Sequence, residues 1–235
     1  MITATYIDHM GTDLTVANAA RVSFGKQSEM DTSDVWGPPT LKGKDAKLIR
    51  YLAEHKHISP FGHCFASFHV KAPVFVARQL VKHKFLRWNE ISRRYVDSEP
   101  TFYEPTEWRG RSVDAKQGSE GVVEVKPQYN TYQGDEFSQF GHWLTTVEDY
   151  YQDAVYFYEH LLEQGVCPEQ ARMVLPQSMI TEWYWSGSLD AFADMCKLRC
   201  ASDTQAETQE VAKQISVKMH ELFPVSWMAL AKGSM

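Results

Sequence analysis

The sequence predicts an α+β fold in which helices predominate. Three observations carry that expectation. Apolar residues recur every three or four positions over residues 45–55, 138–163, 189–199 and 204–223, as they do in helices with one buried face. Aromatic and β-branched runs at 2–7, 61–71 and 177–185 suit strands. The two kinds of element do not alternate as regular βαβ units, and no internal repeat is present. The 235 residues are enough for one large domain or two small ones, and the pattern is read as one domain over 1–235.

Residues 2–7 open the chain as a short strand, and a helical stretch follows near 14–22. Leu48, Ile49 and Leu52 give residues 45–55 an apolar helical face. That helix ends ahead of Pro60, because proline disfavours the α region for the residue before it. Residues 61–71 alternate in part and are rich in Phe and Val. Pro73 suits the first turn of a helix, with Val74, Ala77, Leu80 and Val81 as its apolar stripe. Gln79 and His83 share another face at i,i+4 spacing, as do Arg78 and Lys82. Residues 79–95 are therefore a helix end followed by a loop or strand. Residues 104–135 contain Gly110, Gly118, Gly121 and Gly134, with many charges and few apolar side chains. They read as a loop insertion, either a mobile lid or a surface excursion. Residues 138–163 are the strongest helix, with Trp143, Val147, Tyr150, Ala154, Phe157 and Leu161 in one stripe and Gly165 placed to end it. A short helix is expected at 168–174 and two closing helices at 189–199 and 204–223, the last with Val211, Ile215, Met219 and Leu222 on one face.

Hydrophobic residues make up 43 % of the chain, which supports a substantial core and excludes global disorder. No apolar run approaches the ~20 residues that cross a bilayer. The start, Met1-Ile-Thr-Ala-Thr-Tyr-Ile-Asp8, lacks the basic region and long apolar stretch of a secretory leader. A cytoplasmic protein with no membrane partner is expected. Cys64, Cys167, Cys196 and Cys200 form no C-x-x-C pair and are expected to be reduced and mostly buried. Cys196 and Cys200 could share a helix face, but two thiolates without a further Cys/His pair make a poor zinc site, so no metal is expected. No GxGxxG or Walker loop is present. The sequence pI near 5.8, without any nucleic-acid-binding signature, argues against a nucleic-acid partner.

Against a formal net charge of -6, residues 82–94 concentrate Lys82, Lys84, Arg87, Arg93 and Arg94. Among these cations stand His83, Asn89, Glu90, Ser92 and Tyr95, which donate or accept hydrogen bonds with direction. A local charge inversion mixed with directional groups suits a phosphorylated small molecule better than a solvated face. Arg172 and Arg199 sit in apolar surroundings, where an unpaired guanidinium is costly. Either each meets a carboxylate or they converge with the basic segment on an anion. His57 and His63 flank Ile-Ser-Pro-Phe-Gly and suit either a helix dipole or a planar cofactor.

Residues 82–95 resemble the signature of the flavin-dependent thymidylate synthases. That pattern is Arg-His-Arg, two variable residues, Ser, one variable, Asn-Glu, one variable, Ser, one variable, Arg. This chain has Lys82-His83-Lys84, Arg87, Asn89-Glu90, Ser92 and Arg94, followed by Tyr95. Ala20-Arg-Val-Ser-Phe24, His57-Ile-Ser-Pro-Phe-Gly-His63, Phe68-His-Val-Lys-Ala-Pro73, Val76-Ala-Arg-Gln79, Ala171-Arg-Met-Val-Leu-Pro176 and Leu198-Arg199 are similar to family segments in the same order. The likeness covers most of the chain apart from 104–135. Both motif arginines are lysines here, and Arg87 replaces the motif serine, returning a guanidinium five residues after Lys82.

The resemblance implies the family's mixed α/β core, helix-rich and homotetrameric, as a single catalytic domain with active sites shared between subunits. The implied reaction is reductive methylation of dUMP to dTMP, with carbon from methylenetetrahydrofolate and reducing equivalents from NADPH through FAD. It implies that Gln79, Ser92, Arg94 and Arg172 hold the phosphate and sugar of dUMP, helped by Lys82, Glu90, Ile91 and Arg93. Arg199 is the implied catalytic residue, touching the uracil ring and favouring its ionised form. Lys82, His83, Lys84 and Glu90 would meet FAD, Ser59 would reach FAD from another subunit, and His57 would lie against the flavin and folate rings. Ser188 and Asp194 stand where the family has FAD-contacting asparagines, and Asp190 where it has an arginine. The Pro-Cys-His nucleophile of cysteine-dependent thymidylate synthases is absent; Gly165-Val-Cys-Pro168 has the wrong order. The chemistry is therefore expected to need no cysteine. A dUMP hydroxymethylase on the same scaffold, or a non-catalytic nucleotide- or nucleic-acid-binding relative, is the alternative.

Overall fold

The computed structural model describes residues 1–34, 37–96, 98–113, 118–125, 128–130 and 143–232. In chain order the elements are β1 (Thr3–Met10), α1 (Asp13–Arg21), α2 (Gly43–Glu54), β2 (Phe65–Pro73), α3 (Val74–Leu80) and β3 (Leu86–Glu90). Then come β4 (Trp108–Arg111), β5 (Ser119–Val123), β6 (Gln128–Asn130), β7 (Trp143–Thr145), α4 (Val147–Glu163) and α5 (Pro168–Ala171). The chain continues with β8 (Ile180–Ser188), α6 (Leu189–Arg199), α7 (Ala206–Leu222) and α8 (Pro224–Leu230). This is a mixed α/β protein with eight described helices. They belong to two compact units: Met1–Ala72, Val76–Glu90 and Glu182–Met235 form the first, and Pro73–Phe75 with Ile91–Thr181 form the second.

In the first unit the main sheet has the order β1-β2-β8-β3, with β1–β2 and β3–β8 antiparallel. Alternation decides its buried face. Ala66, Phe68 and Val70 of β2 and Trp183 and Trp185 of β8 are buried, while Ser67, His69 and Tyr184 between them are at least partly exposed. Phe192 of α6 meets Phe68 at 5.3 Å and Trp185 at 5.7 Å, both edge-on. Helix α7 packs on α6, α8 and β1 through the fully buried Val211, Ile215 and Met219, each contributing about 1.5–3 kcal/mol by area removed from water. Gln214 of α7 also guards the edge strand. Its Oε1 accepts from the Ala4 N–H at 2.8 Å and its Nε2 donates to the Ile2 carbonyl at 3.2 Å.

Two buried carboxylates close this unit. Asp13 accepts from the Val225 and Ser226 N–H groups at 2.9 and 2.8 Å, capping α8. Asp45 is fully buried and takes the Arg21 guanidinium and the Ser28 hydroxyl. Burial would raise its carboxyl, but the hydrogen bonds from Ser28 and Arg21 outweigh that and hold it below the usual carboxylate range. Helix α8 is not expected from the sequence. The last expected helix ends at residue 223, whereas Pro224 is the first residue of a new helix.

Other expectations shift at their boundaries. Residues 61–71 do form a strand, but it starts at Phe65 after a 3₁₀ turn over Ser59–His63. Pro73 ends that strand rather than opening a helix. The next N–H groups, of Val74 and Phe75, donate to the Met179 and Gln177 carbonyls, all within the second unit. Val81 falls outside α3 and is exposed. In the second unit α4 begins at Val147, not at 138. Thr146 and Asp149 form a capping box, with the Asp149 N–H on Thr146 Oγ1 at 3.0 Å and the Thr146 N–H on Asp149 Oδ2 at 2.9 Å. Trp143–Thr145 pairs instead with Gln128–Asn130, and residues 138–142 lie outside the described residues. Of the expected stripe residues that fall within α4, only Ala154 is buried, joined by Tyr158. The 104–135 stretch contains the β4–β5 hairpin; residues 114–117, 126–127 and 131–135 lie outside the described residues.

Two helices end alike with different residues. After α4, Gly165 at φ 83° donates to the Leu162 carbonyl and Val166 to Leu161. After α2, Lys56 at φ 57° donates to Ala53 and His57 to Leu52. Both are Schellman ends, but a left-handed lysine is strained where glycine is not. Lys56→Gly should therefore stabilise the fold by about 0.5–1 kcal/mol, after the extra backbone entropy that glycine loses on folding. Thermal unfolding checks this, with a rise in Tm of about 1–4 °C expected.

Candidate functional site

The ends of three helices meet in the first unit. Helix α3 delivers Gln79 and, just past its end, His83, whose N–H donates to the Leu80 carbonyl at 3.1 Å. Helix α6 ends on Arg199, and α7 is preceded by Gln205. The Arg199 Nε donates to His83 Nε2 at 2.9 Å, and Nη2 donates to the Gln79 carbonyl at 3.4 Å. Gln79 Nε2 donates to Gln205 Oε1 at 2.5 Å, and Gln79 Oε1 accepts from the buried Thr208 hydroxyl at 3.3 Å. The amide of Gln79 is thus held from α7 and keeps one N–H and one lone pair for a ligand.

The charges in this cluster are set by burial. Burial pushes the half-buried Arg199 below the usual guanidinium value. Burial, and then the Arg199 charge, drives His83 down to about 4, against a small opposing pull from Asp194. His83 is therefore neutral near pH 7, and because Nε2 accepts, its proton sits on Nδ1. Both groups that accept from Arg199 are uncharged. Asp194, on the same helix, is paired with Lys197 at 2.6 Å.

The loop from α3 to β3 carries Lys82 and Lys84, and β3 carries Arg87. All three are exposed and have no ion-pair partner among the described residues. Phe85 in this loop has φ 65° and is 82 % exposed. Gly187 of β8 pairs with Leu86, and a Cβ there would stand 3.1 Å from the Phe85 carbonyl oxygen as well as striking the Leu86 side chain. Only glycine lets the loop lie this close. On β3, the Trp88 indole donates to Glu90 Oε2 at 3.1 Å while stacking on Trp183 with centroids 4.3 Å apart and meeting Trp185 edge-on at 5.8 Å.

His57 and Ser59 stand toward the other end of α6. The 3₁₀ turn over Ser59–His63 packs on α6, and the Leu189 N–H donates to the Cys64 carbonyl at 2.9 Å. The exposed His57 ring meets Tyr51 edge-on at 6.2 Å, and Tyr51 stacks on His55 at 3.9 Å. Ser188, the N-cap of α6, makes no capping bond with its side chain. Ser188 and Arg199 are separated by about 16 Å along the helix. Asp190 Oδ1 is buried without a hydrogen-bond partner among the described residues.

The second unit holds Ile91, Ser92, Arg93, Arg94 and Arg172. Ser92 Oγ accepts from the Arg94 N–H and Nε at 3.3 Å each, and the Arg94 guanidinium lies 5.1 Å from the Tyr95 ring centroid. Arg93 donates to the Ser98 carbonyl. Arg172 is exposed in a 3₁₀ turn, its Nε donating to the Glu169 carbonyl at 3.2 Å. Ile91 is exposed.

Of the sequence-predicted residues, the structure joins Gln79, His83 and Arg199 in one network and Ser92 with Arg94 in another. Gln205, Thr208, Trp88, Tyr51 and His55 are not singled out by the sequence. Gln205 gives no signal because it lies 126 residues from the amide it holds. Tyr51 and His55 could have been found by i,i+4 spacing. Lys82, Lys84 and Arg87 are exposed and open to an anionic group, and the exposed Tyr51, His55 and His57 rings are open to a planar one.

The sequence model described as thymidylate synthase complementing protein matches residues 5–225. A flavin-dependent thymidylate synthase of Thermus thermophilus is 39 % identical over 223 residues, 95 % of this chain and 73 % of that protein. The Thermosipho melanesiensis enzyme of the same name is 35 % identical over 226 residues, 96 % of this chain and 89 % of that protein. The crystal structure of PolB, a UMP/dUMP methylase from Streptomyces cacaoi bound with 5-Br dUMP, superposes with TM-score 0.76 at 30 % identity, covering 97 % of this chain and 94 % of PolB.

The lowered His83 value has a consequence for stability. Unfolded, His83 takes a proton near pH 6.5; folded, it does so only near 4. Its contribution is complete above pH 6.5 and is lost as pH falls toward 4. His83→Gln, which keeps an acceptor that does not titrate, should make chemical-denaturation stability fall less between pH 6.5 and 4 than in the wild type.

Proposed function

Because the chain belongs to the flavin-dependent thymidylate synthase family, we propose that it catalyses reductive methylation of dUMP to dTMP. The cofactor is FAD, and methylenetetrahydrofolate and NADPH are co-substrates. The observation that supports this reading most is the Gln79–Arg199–His83 network, which ties Arg199 to the signature histidine. Arg199, held by neutral groups, lies against the uracil ring and favours its ionised form, which activates a ring carbon without a protein nucleophile. Gln79 offers its remaining N–H and lone pair to the nucleotide. Ser92, Arg94 and Arg172, with Ile91 and Arg93, take its phosphate and sugar, and Lys82 and Glu90 serve both nucleotide and cofactor. Lys82 and Lys84 neutralise the FAD pyrophosphate, neutral His83 offers it a hydrogen bond, Ser188 and Asp194 meet the cofactor along α6, and His57 and Ser59 serve the ring system. Bound FAD would supply the hydride chemistry. The working form is a homotetramer with shared sites, and 1–235 act as one catalytic domain.

Two of the four thiols are poor nucleophiles. Burial, with Asp13 adding to it, pushes Cys64 up to about 12, and burial also raises Cys196. Cys167 is exposed, and Cys200 is acidified by the hydrogen bond from Cys196 and then by Lys213. The exposed Cys167 and the acidified Cys200 are the rivals to test.

Purified protein should be yellow or become so with FAD, and should convert dUMP to a product heavier by CH₂. A product heavier by CH₂O would mean hydroxymethylation. A colourless protein with salt-sensitive binding to long nucleic acid would contradict the enzyme reading. The Cys167→Ser/Cys200→Ser protein should retain activity; its loss with FAD still bound would contradict the cysteine-free route.

A further inference from the structure

Arg199 carries the charge on which the proposed chemistry turns, yet its side chain is only half-buried and ends a helix. A guanidinium on four rotatable bonds would not stay in one place without a partner. The usual partner is a carboxylate, which would also cancel much of the field. Here the partner on Nε is an imidazole, at 2.9 Å. Asp194, the acidic residue whose charge reaches His83, is paired with Lys197. The imidazole is fixed in turn, since His83 follows directly on α3 and its N–H is tied to the Leu80 carbonyl. The loop after it is pressed against Gly187.

We propose that His83 is the positioning residue for Arg199. Its Nε2 holds the guanidinium in place as an uncharged acceptor, so that the positive charge reaches the pyrimidine undiminished. Its Nδ1–H then remains free to donate away from Arg199, toward the cofactor side. One ring thereby couples the flavin grip to the residue that polarises the base. The proposal rests on the reading of Arg199 given above and goes beyond it in assigning what holds that residue and why the holder is neutral. A carboxylate would hold the arginine as firmly but quench it. An aliphatic residue would leave it charged but loose.

The test uses FAD-loaded protein and 5-fluoro-dUMP, without folate or nicotinamide nucleotide. The ¹⁹F resonance of the bound probe, followed against pH, reports ionisation of its ring. In the wild type the bound ring should ionise at lower pH than the free probe. In His83→Leu the bound ring should ionise about one pH unit higher than in the wild type, with kcat for dUMP about 100-fold lower and KM changed less than about threefold, because the phosphate contacts remain. His83→Gln should recover most of both effects. His83→Glu should ionise higher than His83→Gln although it can hold the guanidinium, an effect that a merely structural role would not give. Bound-probe ionisation in Leu and Glu variants matching the wild type would overturn the proposal. A wild type that binds the probe without lowering its ionisation would overturn the reading of Arg199 itself, and the proposal with it.

Discussion

One hydrogen bond organises the candidate site: the Arg199 guanidinium on the His83 ring. A half-buried cation needs acceptors, and both of those found, His83 Nε2 and the Gln79 carbonyl, come from the end of α3 or just beyond it. That choice fixes where α6 must end relative to α3. It also recruits α7, because the Gln79 amide is held by Gln205 and Thr208. Three helix ends are thereby committed to one point, and the packing of Val211, Ile215 and Met219 behind them keeps it there. Partial burial without a neutralising carboxylate is costly for stability. Such a cost is retained where the charge has something to do.

The other charges follow a division of labour. Lys82, Lys84 and Arg87 stay exposed and unpaired among the described residues, as cations awaiting an anion do. Of the two acidic residues on the same helix as Arg199, Asp194 is paired locally with Lys197. Its presence where the family has an asparagine is therefore less adverse to a pyrophosphate than its formal charge suggests. The lysines of the signature keep the charge of the arginines they replace but lack the planar two-point grip. Arg87, on β3 opposite Ser186, brings a guanidinium back to the same surface segment.

Much of this is legible in the sequence, and the failures have physical causes. Helices 45–55 and 189–199 follow from period and lie where expected, because their apolar stripes face a core. The start of α4 is misplaced by period because Trp143 falls in phase with the stripe by chance. The true boundary, the Thr146–Asp149 box, is a local hydrogen-bond pattern that periodicity ignores. Helix α8 escapes the sequence because Pro224 marks a stop and a start at once, and its cap, Asp13, lies 212 residues away from Val225. At the site, residue types on one segment can be read: His83 and Gln79 on one face, and cations clustered around them. The partners that give them meaning, Arg199, Gln205 and Thr208, come from far along the chain. No spacing rule reports such a contact. The resemblance names Arg199 but not what holds it.

The central claim is that Arg199 is held, charged, by a neutral imidazole. Nitrogen-15 NMR of the histidine rings measures this directly. Between pH 5.5 and 8, His83 should show a protonated Nδ1 and an unprotonated Nε2, with the Arg199 Nε–H resonance coupled to it and unchanged. A His83 ring that is an imidazolium in that range, or that carries its proton on Nε2, would contradict the account.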